Sequence, residues 1–474
     1  MKKNLLLFTL VLFVASMLNA KIKVASILGD NMVLQRNSEV KLWGTTNLNE
    51  KVLVKTSWNK ESYKTTANNK GEWLLAVKTT EAGGPFTIEI ISGKEKLVLN
   101  NILLGEVWLC SGQSNMEMPV GGFRDQPVNG TNDALVDADN DNLRLFTVGN
   151  NSSPVPVDTC HGAWKTANAE SVVKFSAVGY FYAKLIQQKL KVPVGIICSS
   201  WGGSKIEAWM SKETVSKFPK AFEETTQAKT MIQQRATQLY NGIIYPLFNF
   251  SIKGVIWYQG ESNTNSKDYP NLMVGMVNDW RKGFNAGDFP FYYVQITSFI
   301  APYWGNIKKS WVMAVQREAQ FKAAPLIPNS GMVTTLDLGE ENNVHPAEKF
   351  TISKRLSYWA LAETYGYKGI YHLNPTFKSF VVKDSSLVVS FENTVNGLTT
   401  FGKELDNFEI AGEDHVFHPA KASIVKKEVQ LWSPEVIKPV ALRYAFYNFP
   451  QGKGFLYNTA GLPVPSFRSD NWEK

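Results

Sequence analysis

Four short stretches of this 474-residue chain hold the residue types that acyl transfer requires. Ser111-Gly112-Gln113-Ser114-Asn115-Met116 offers a serine in a glycine-containing loop, and Trp201-Gly202-Gly203-Ser204 offers a glycine pair. Gln259-Gly260-Glu261-Ser262-Asn263 offers amides and a carboxylate, and Asn342-Asn343-Val344-His345-Pro346 offers a histidine. A serine hydroxyl is a weak nucleophile until a neighbouring base takes its proton. Ser114 is therefore the candidate nucleophile and His345 its base. The tetrahedral intermediate carries an oxyanion that needs fixed donors, each worth ~10²–10³ in rate. The backbone N–H groups of Ser114 and of Gly203 (or Gly202) and the side-chain amide of Asn263 are the candidates. Glycine suits such loops because the backbone must take unusual dihedrals close to the substrate. Met116, two residues after the serine, excludes the G-x-S-x-G elbow.

Of the other histidines, His418 also precedes a proline, but it sits in a β-rich tail. His345 closes a long loop after a strand and precedes a helix. No acid stands just before it: those positions hold Asn342 and Asn343, and neither can carry the negative charge that stabilises an imidazolium. Three orienters stay open: a backbone carbonyl near Asn343, making a Ser–His dyad; Asp337; or Glu340 and Glu341. Gln113, Asn115, Gln259 and Glu261 either brace these loops or touch substrate. Of the 14 tryptophans, Trp201 and Trp209 lie nearest the second stretch and could offer a face to a sugar ring.

The elements around these stretches are what must position them. Residues 107–110, 192–198, 254–258, 291–296 and 331–337 read as apolar strands, and 172–190 and 350–364 carry helical spacing. Strands alternating with helices predict a mostly parallel sheet with helices on both faces, over 104–366. In such a sheet ligands bind beyond the carboxyl ends of the strands, where all four stretches would open together. Residues 21–103 read as a small β-sandwich, with strands at 39–43, 51–58, 72–78, 86–91 and 97–102. Residues 367–474 return to a β-rich pattern, with strands at 380–391, 422–432 and 440–448.

Composition narrows the classes. With 44% hydrophobic and 19% charged residues this is an ordinary folded chain. Its formal charge of +8 is scattered rather than clustered, which argues against nucleic acid as a partner. Three cysteines (Cys110, Cys160, Cys198) are too few for a disulfide framework, and no Cys/His spacing suggests a metal. Residues 1–20, with Lys2, Lys3, an apolar run and a small residue at Ala20, read as a secretory leader cleaved after Ala20. That places the mature chain in the periplasm or outside the cell. No later segment has the roughly 20 apolar residues of a membrane span.

Gly112-Gln113-Ser114-Asn115-Met116, Trp201-Gly202-Gly203-Ser204, the run from Trp257 to Asn263 and His345-Pro346 together resemble the sialate O-acetylesterase family of the SGNH/GDSL hydrolases. The resemblance extends through the run from Phe175 to Tyr180, Arg317-Glu318-Ala319-Gln320 and Gly461-Leu462-Pro463. It implies a three-layer α/β/α domain and a cofactor-free serine esterase that removes O-acetyl groups from sugars, O-acetylated sialic acid first among them. It also implies Ser114 as nucleophile, His345 as base, and Gly203 and Asn263 in the oxyanion hole. An acetylxylan or other polysaccharide acetylesterase is the alternative substrate reading; a non-catalytic carbohydrate-binding protein is the alternative class. A sialic acid carboxylate would want a cation near Ser114, for which Arg124 and Lys205 are candidates.

Overall fold

The computed structural model describes residues 21–226, 231–264, 266–300 and 310–472. The predicted leader lies outside them. The central sheet is built from β1 (Glu95–Gly112), β2 (Asn140–Thr147), β3 (Trp164–Ala167), β4 (Val194–Ser200), β5 (Gly254–Tyr258), β6 (Phe291–Val294) and β7 (Ser330–Val333). Their spatial order is β3-β2-β4-β1-β5-β6-β7, parallel except for the β2–β3 pair.

Every residue of β4, β5 and β6 is buried, as the two-sided cover of a parallel sheet requires. The pleat of β1 sends Val107 and Leu109 to one face and Trp108 and Cys110 to the other. On the first face packs helix α2 (Tyr269–Phe284), through Leu272, Met273, Met276 and Trp280. On the second pack α1 (Ala177–Leu190), through Val178, Tyr182 and Ile186, and α4 (Lys349–Trp359), through Ile352 and Leu356. The chain is thus a three-layer α/β/α fold carrying β-rich flanks.

The predicted helix over 172–190 breaks before α1, because Ser176 caps it: the Ser176 hydroxyl accepts from Gly179 N at 3.0 Å. The predicted strands 380–391 and 422–432 are each a hairpin. Asp384 (φ 54°) and Lys426 (φ 59°) reverse the chain in the left-handed region. Helices α2 and α3 (Val312–Ala323) are absent from the pattern read above. Cys110, Cys160 and Cys198 are buried and free.

The N-terminal flank is built into the central sheet, whereas the C-terminal strands form sheets of their own. β1 is one continuous strand across the change of rhythm at 103/104: its first half pairs antiparallel with Gly83–Ser92 and its second half lies at the sheet centre. The C-terminal β region holds α3. Arg317, fully buried, donates to Ser466 Oγ at 3.0 Å and to the Tyr447 carbonyl at 2.6 Å. Gln320, one turn on, donates to the Gln259 carbonyl at 3.0 Å, so this β region braces a loop of the site through one helix.

Candidate active site

Because β1, β4, β5 and β7 run parallel, the segments after them share one edge of the sheet. Ser114 opens a one-turn helix directly after β1. Its Oγ lies 2.7 Å from His345 Nε2. His345 Nδ1 lies 2.7 Å from Gln126 Oε1, an acceptor, so Nδ1 carries the proton and Nε2 is free to accept from Ser114. The Phe123 ring meets the imidazole edge-on at 5.3 Å. Burial, with a smaller contribution from the Lys349 charge, lowers the His345 pKa to about 4.

None of the three expected orienters touches the imidazole. Asp337 forms a buried two-pronged ion pair with Arg355, at 2.7 and 2.8 Å. Asn343 clamps the histidine's backbone instead: Oδ1 accepts from His345 N at 3.0 Å and Nδ2 donates to His345 O at 2.8 Å. Glu340 accepts from Ala347 N at 2.6 Å and from Asn343 at 3.0 Å. The group at Nδ1 is instead the amide of Gln126, from a loop far away in sequence.

The loop after β4 lies against Ser114: a Cβ added to Gly202 would stand 3.3 Å from the Ser114 Cβ. The Gly202 N–H is bound by the Glu117 carboxylate at 2.6 Å, which leaves Gly203 as the open amide of the pair. Gly203 holds φ 71°, a conformation that favours glycine. Among the described residues the N–H groups of Ser114 and Gly203 have no hydrogen-bond partner. Asn263 is buried and its amide is pinned: Oδ1 accepts from Gln259 Nε2 at 2.7 Å and Ile206 N at 2.9 Å. Nδ2 donates one hydrogen to Glu207 at 2.9 Å and keeps the other.

Gln113, Asn115, Gln259 and Glu261 bond to neighbouring loops. Fully buried Gln259 also donates to the Ser204 carbonyl at 3.0 Å. Gln113 Oε1 accepts from Gly260 N and Ser262 N, at 3.3 and 3.4 Å. Asn115 joins three loops: Nδ2 donates to Glu261 Oε1 at 2.6 Å and to the Val344 carbonyl at 2.9 Å, while Oδ1 accepts from Lys349 at 2.6 Å. Burial pushes the Glu261 carboxyl up and brings the Lys349 ammonium down to about 7. Trp209 is fully buried between Trp257 and Trp280, whereas Trp201 is half-buried beside Gly202. Arg124, between Phe123 and Gln126, is 96% exposed in its side chain and lies 3.7 Å from Asp125.

Gln126, Lys349 and Glu117 escaped the sequence reading. The missing acid before His345 was the one sign that an acceptor had to come from elsewhere. Among the described residues, no group of three or more His, Cys, Asp or Glu could hold a metal ion.

Comparison with known proteins identifies the family. Residues 104–357 match the family described as carbohydrate esterase, sialic acid-specific acetylesterase. The chain is 30% identical to a human sialate O-acetylesterase over 73% of this chain and 72% of that protein. It is 28% identical to the mouse protein over 94% of both. A carbohydrate acetylesterase from Xanthomonas citri superposes with a TM-score of 0.86 at 32% identity, over 95% of this chain and 100% of that one.

Proposed function

Since the chain belongs to the sialic acid-specific acetylesterase family of carbohydrate esterases, and is a carboxylic ester hydrolase, we propose that it removes O-acetyl groups from sugars by acyl-enzyme chemistry at Ser114. The observation that carries this reading is the 2.7 Å contact between Ser114 Oγ and an imidazole whose other nitrogen is held protonated. His345 takes the hydroxyl proton as Oγ attacks the acetyl carbonyl. The oxyanion is met by the N–H groups of Ser114 and Gly203 and by the uncommitted hydrogen of Asn263 Nδ2. Collapse expels the sugar hydroxyl, which leaves with the proton from His345. Water, deprotonated by the same histidine, then releases acetate from Ser114.

The orienting partner is neutral. Gln126 fixes the tautomer and the ring plane but adds no charge to the imidazolium, so the base is weak and stays unprotonated far into acid. Gln113, Gln259, Asn115 and Lys349 position the reacting groups without touching substrate.

For the acetylated sugar, the names of the curated relatives favour an O-acetylated sialic acid, and Arg124 at the rim is the cation that would meet its carboxylate. The Xanthomonas relative, described only as acting on carbohydrate, keeps a neutral acetylated polysaccharide as the second reading. Residues 1–20 support action outside the cytoplasm. Among the described residues, no helix is long and apolar enough to cross a membrane.

Acetate release from 9-O-acetylated sialic acid and from acetylated xylan, in wild type and Ser114→Ala, tests the reading. The expected result is loss of release in the variant and an acetyl adduct on Ser114 in rapidly quenched wild type. Full activity in Ser114→Ala would overturn it. An Arg124→Ala variant that raises KM for the sialate alone supports the first substrate; preference for xylan supports the second.

A further inference from the structure

We propose that the cleft between the N-terminal β region and the far end of α2 is a second carbohydrate site, taking a neutral oligosaccharide segment of the substrate polymer. The proposal rests on the second substrate reading above, that the acetylated sugar belongs to a neutral polysaccharide. The cleft has a volume of about 1080 Å³ and shares no lining residue with the loops around Ser114. α2 begins beside the catalytic edge, where the Tyr269 hydroxyl bonds Gln259 Oε1 at 3.0 Å. It then runs back toward the amino edge, and Lys282, in the cleft wall, stands about 20 Å along the helix from there.

The walls carry aromatic side chains from both sides: Trp43 from strand Glu39–Thr45, and Tyr240, Tyr245 and Phe248 from the catalytic domain. The last three pack tilted or edge-on against one another at centroid distances of 6.5, 5.6 and 5.7 Å, which fixes each ring before any ligand arrives. Tyr245 nonetheless stays 38% exposed. Trp73, also in the lining, is almost wholly buried, and among the described residues its indole N–H has no partner. Such a donor is what a ligand hydroxyl reaching the floor would satisfy.

Rigid apolar faces set among amides and carboxylates suit pyranose rings, whose faces present C–H groups and whose rims present hydroxyls. Charge selects within that class. Glu72, Asp158, Glu213 and Asp279 line the cleft against Lys23 and Lys282, and Lys282 is already 3.5 Å from Glu213. A polyanionic chain would meet like charge there. A neutral chain held in the cleft would raise the local concentration of its acetylated units near Ser114.

The test is calorimetric binding of xylohexaose and cellohexaose, with colominic acid as the anionic comparison. All three lack acetyl esters, so binding is read apart from hydrolysis. Wild type should bind a neutral hexaose, Tyr245→Ala should bind it roughly tenfold more weakly, and Tyr245→Phe should keep the affinity. Hydrolysis of 4-nitrophenyl acetate should be the same in all three proteins. Absence of binding to both hexaoses, equal binding by wild type and Tyr245→Ala, or preference for colominic acid overturns the proposal. Failure of aryl acetate hydrolysis in wild type strikes the esterase reading alone and leaves the binding result to stand by itself.

Discussion

Replacing Gln126 by glutamate should convert a neutral orienter into a charged one, and the pH profile should record it. In the wild type, His345 Nδ1 meets an uncharged amide oxygen at 2.7 Å, and burial holds the imidazole pKa at about 4. Catalysis needs His345 unprotonated, so kcat/KM should hold as pH falls through 6 and decline only near 4. A carboxylate at the same place lies within about 4 Å of the imidazolium charge, worth up to about 4 kcal/mol at an effective dielectric of 20. Screening and the cost of burying the carboxylate reduce this, and opposite charges at such range shift a pKa by roughly one to three units. The acid limb in Gln126→Glu should therefore move upward by that amount, toward the ordinary histidine value. Gln126→Ala removes the acceptor and should lower kcat/KM by about 10- to 100-fold, from about 1.5–3 kcal/mol for a hydrogen bond to a charged group. The assay is the pH dependence of kcat/KM on an aryl acetate. A wild-type limb near 6.5 would refute burial as the control of the His345 pKa, and identical limbs in wild type and Gln126→Glu would refute the placement of Gln126 as the orienter.

Three further outcomes follow from the same geometry. Asn263→Ala should lower kcat about 10²-fold, because it removes a donor to the oxyanion, with KM for aryl acetate little changed; an unchanged kcat excludes that role. Asp337→Asn should reduce thermal stability by about 3–5 kcal/mol, because it leaves Arg355 buried without its partner, yet should not move the acid limb. A shifted limb would return Asp337 to the site. Lys349 is held at about 7 in the folded chain against its ordinary value of 10.5. The unfolded chain therefore binds more protons across that window, and wild-type stability should rise with pH from about 7 to about 9, above which the buried thiol of Cys110 and the buried tyrosines oppose the rise. Denaturation midpoints across that range should show the rise in wild type and its absence in Lys349→Met.

The serine, the glycine pair, the asparagine and the histidine were legible because each lies in a segment that follows a strand-like run, and a parallel sheet has only one carboxyl edge on which to place them. The core was legible for a similar reason: strands buried on both faces must be apolar throughout, as residues 107–110 and 254–258 are. The helices α2 and α3 were harder to read. α2 opens with a proline and has glycines within it, and α3 carries buried Gln316, Arg317 and Gln320 where a plain apolar stripe was sought. The hairpins at Asp384 and Lys426 were hidden because neither position holds glycine.

By itself, then, the sequence determined five apolar strands of the sheet and the edge on which the four stretches open, but not β2 and β3, since what it determined follows from local periodicity and from residue types that few other roles require. Tertiary structure alone decided that Gln126 faces Nδ1, that Asp337 belongs to Arg355, that Glu117 takes the amide of Gly202, and that Gln259 and Glu261 bond to Asn263 and Asn115. All but the bond between Gln259 and Asn263 join groups far apart along the chain. A glutamine in an exposed loop and an aspartate after a strand look alike whether or not they reach the histidine, and only the folded path of the backbone sets which one lies within 3 Å.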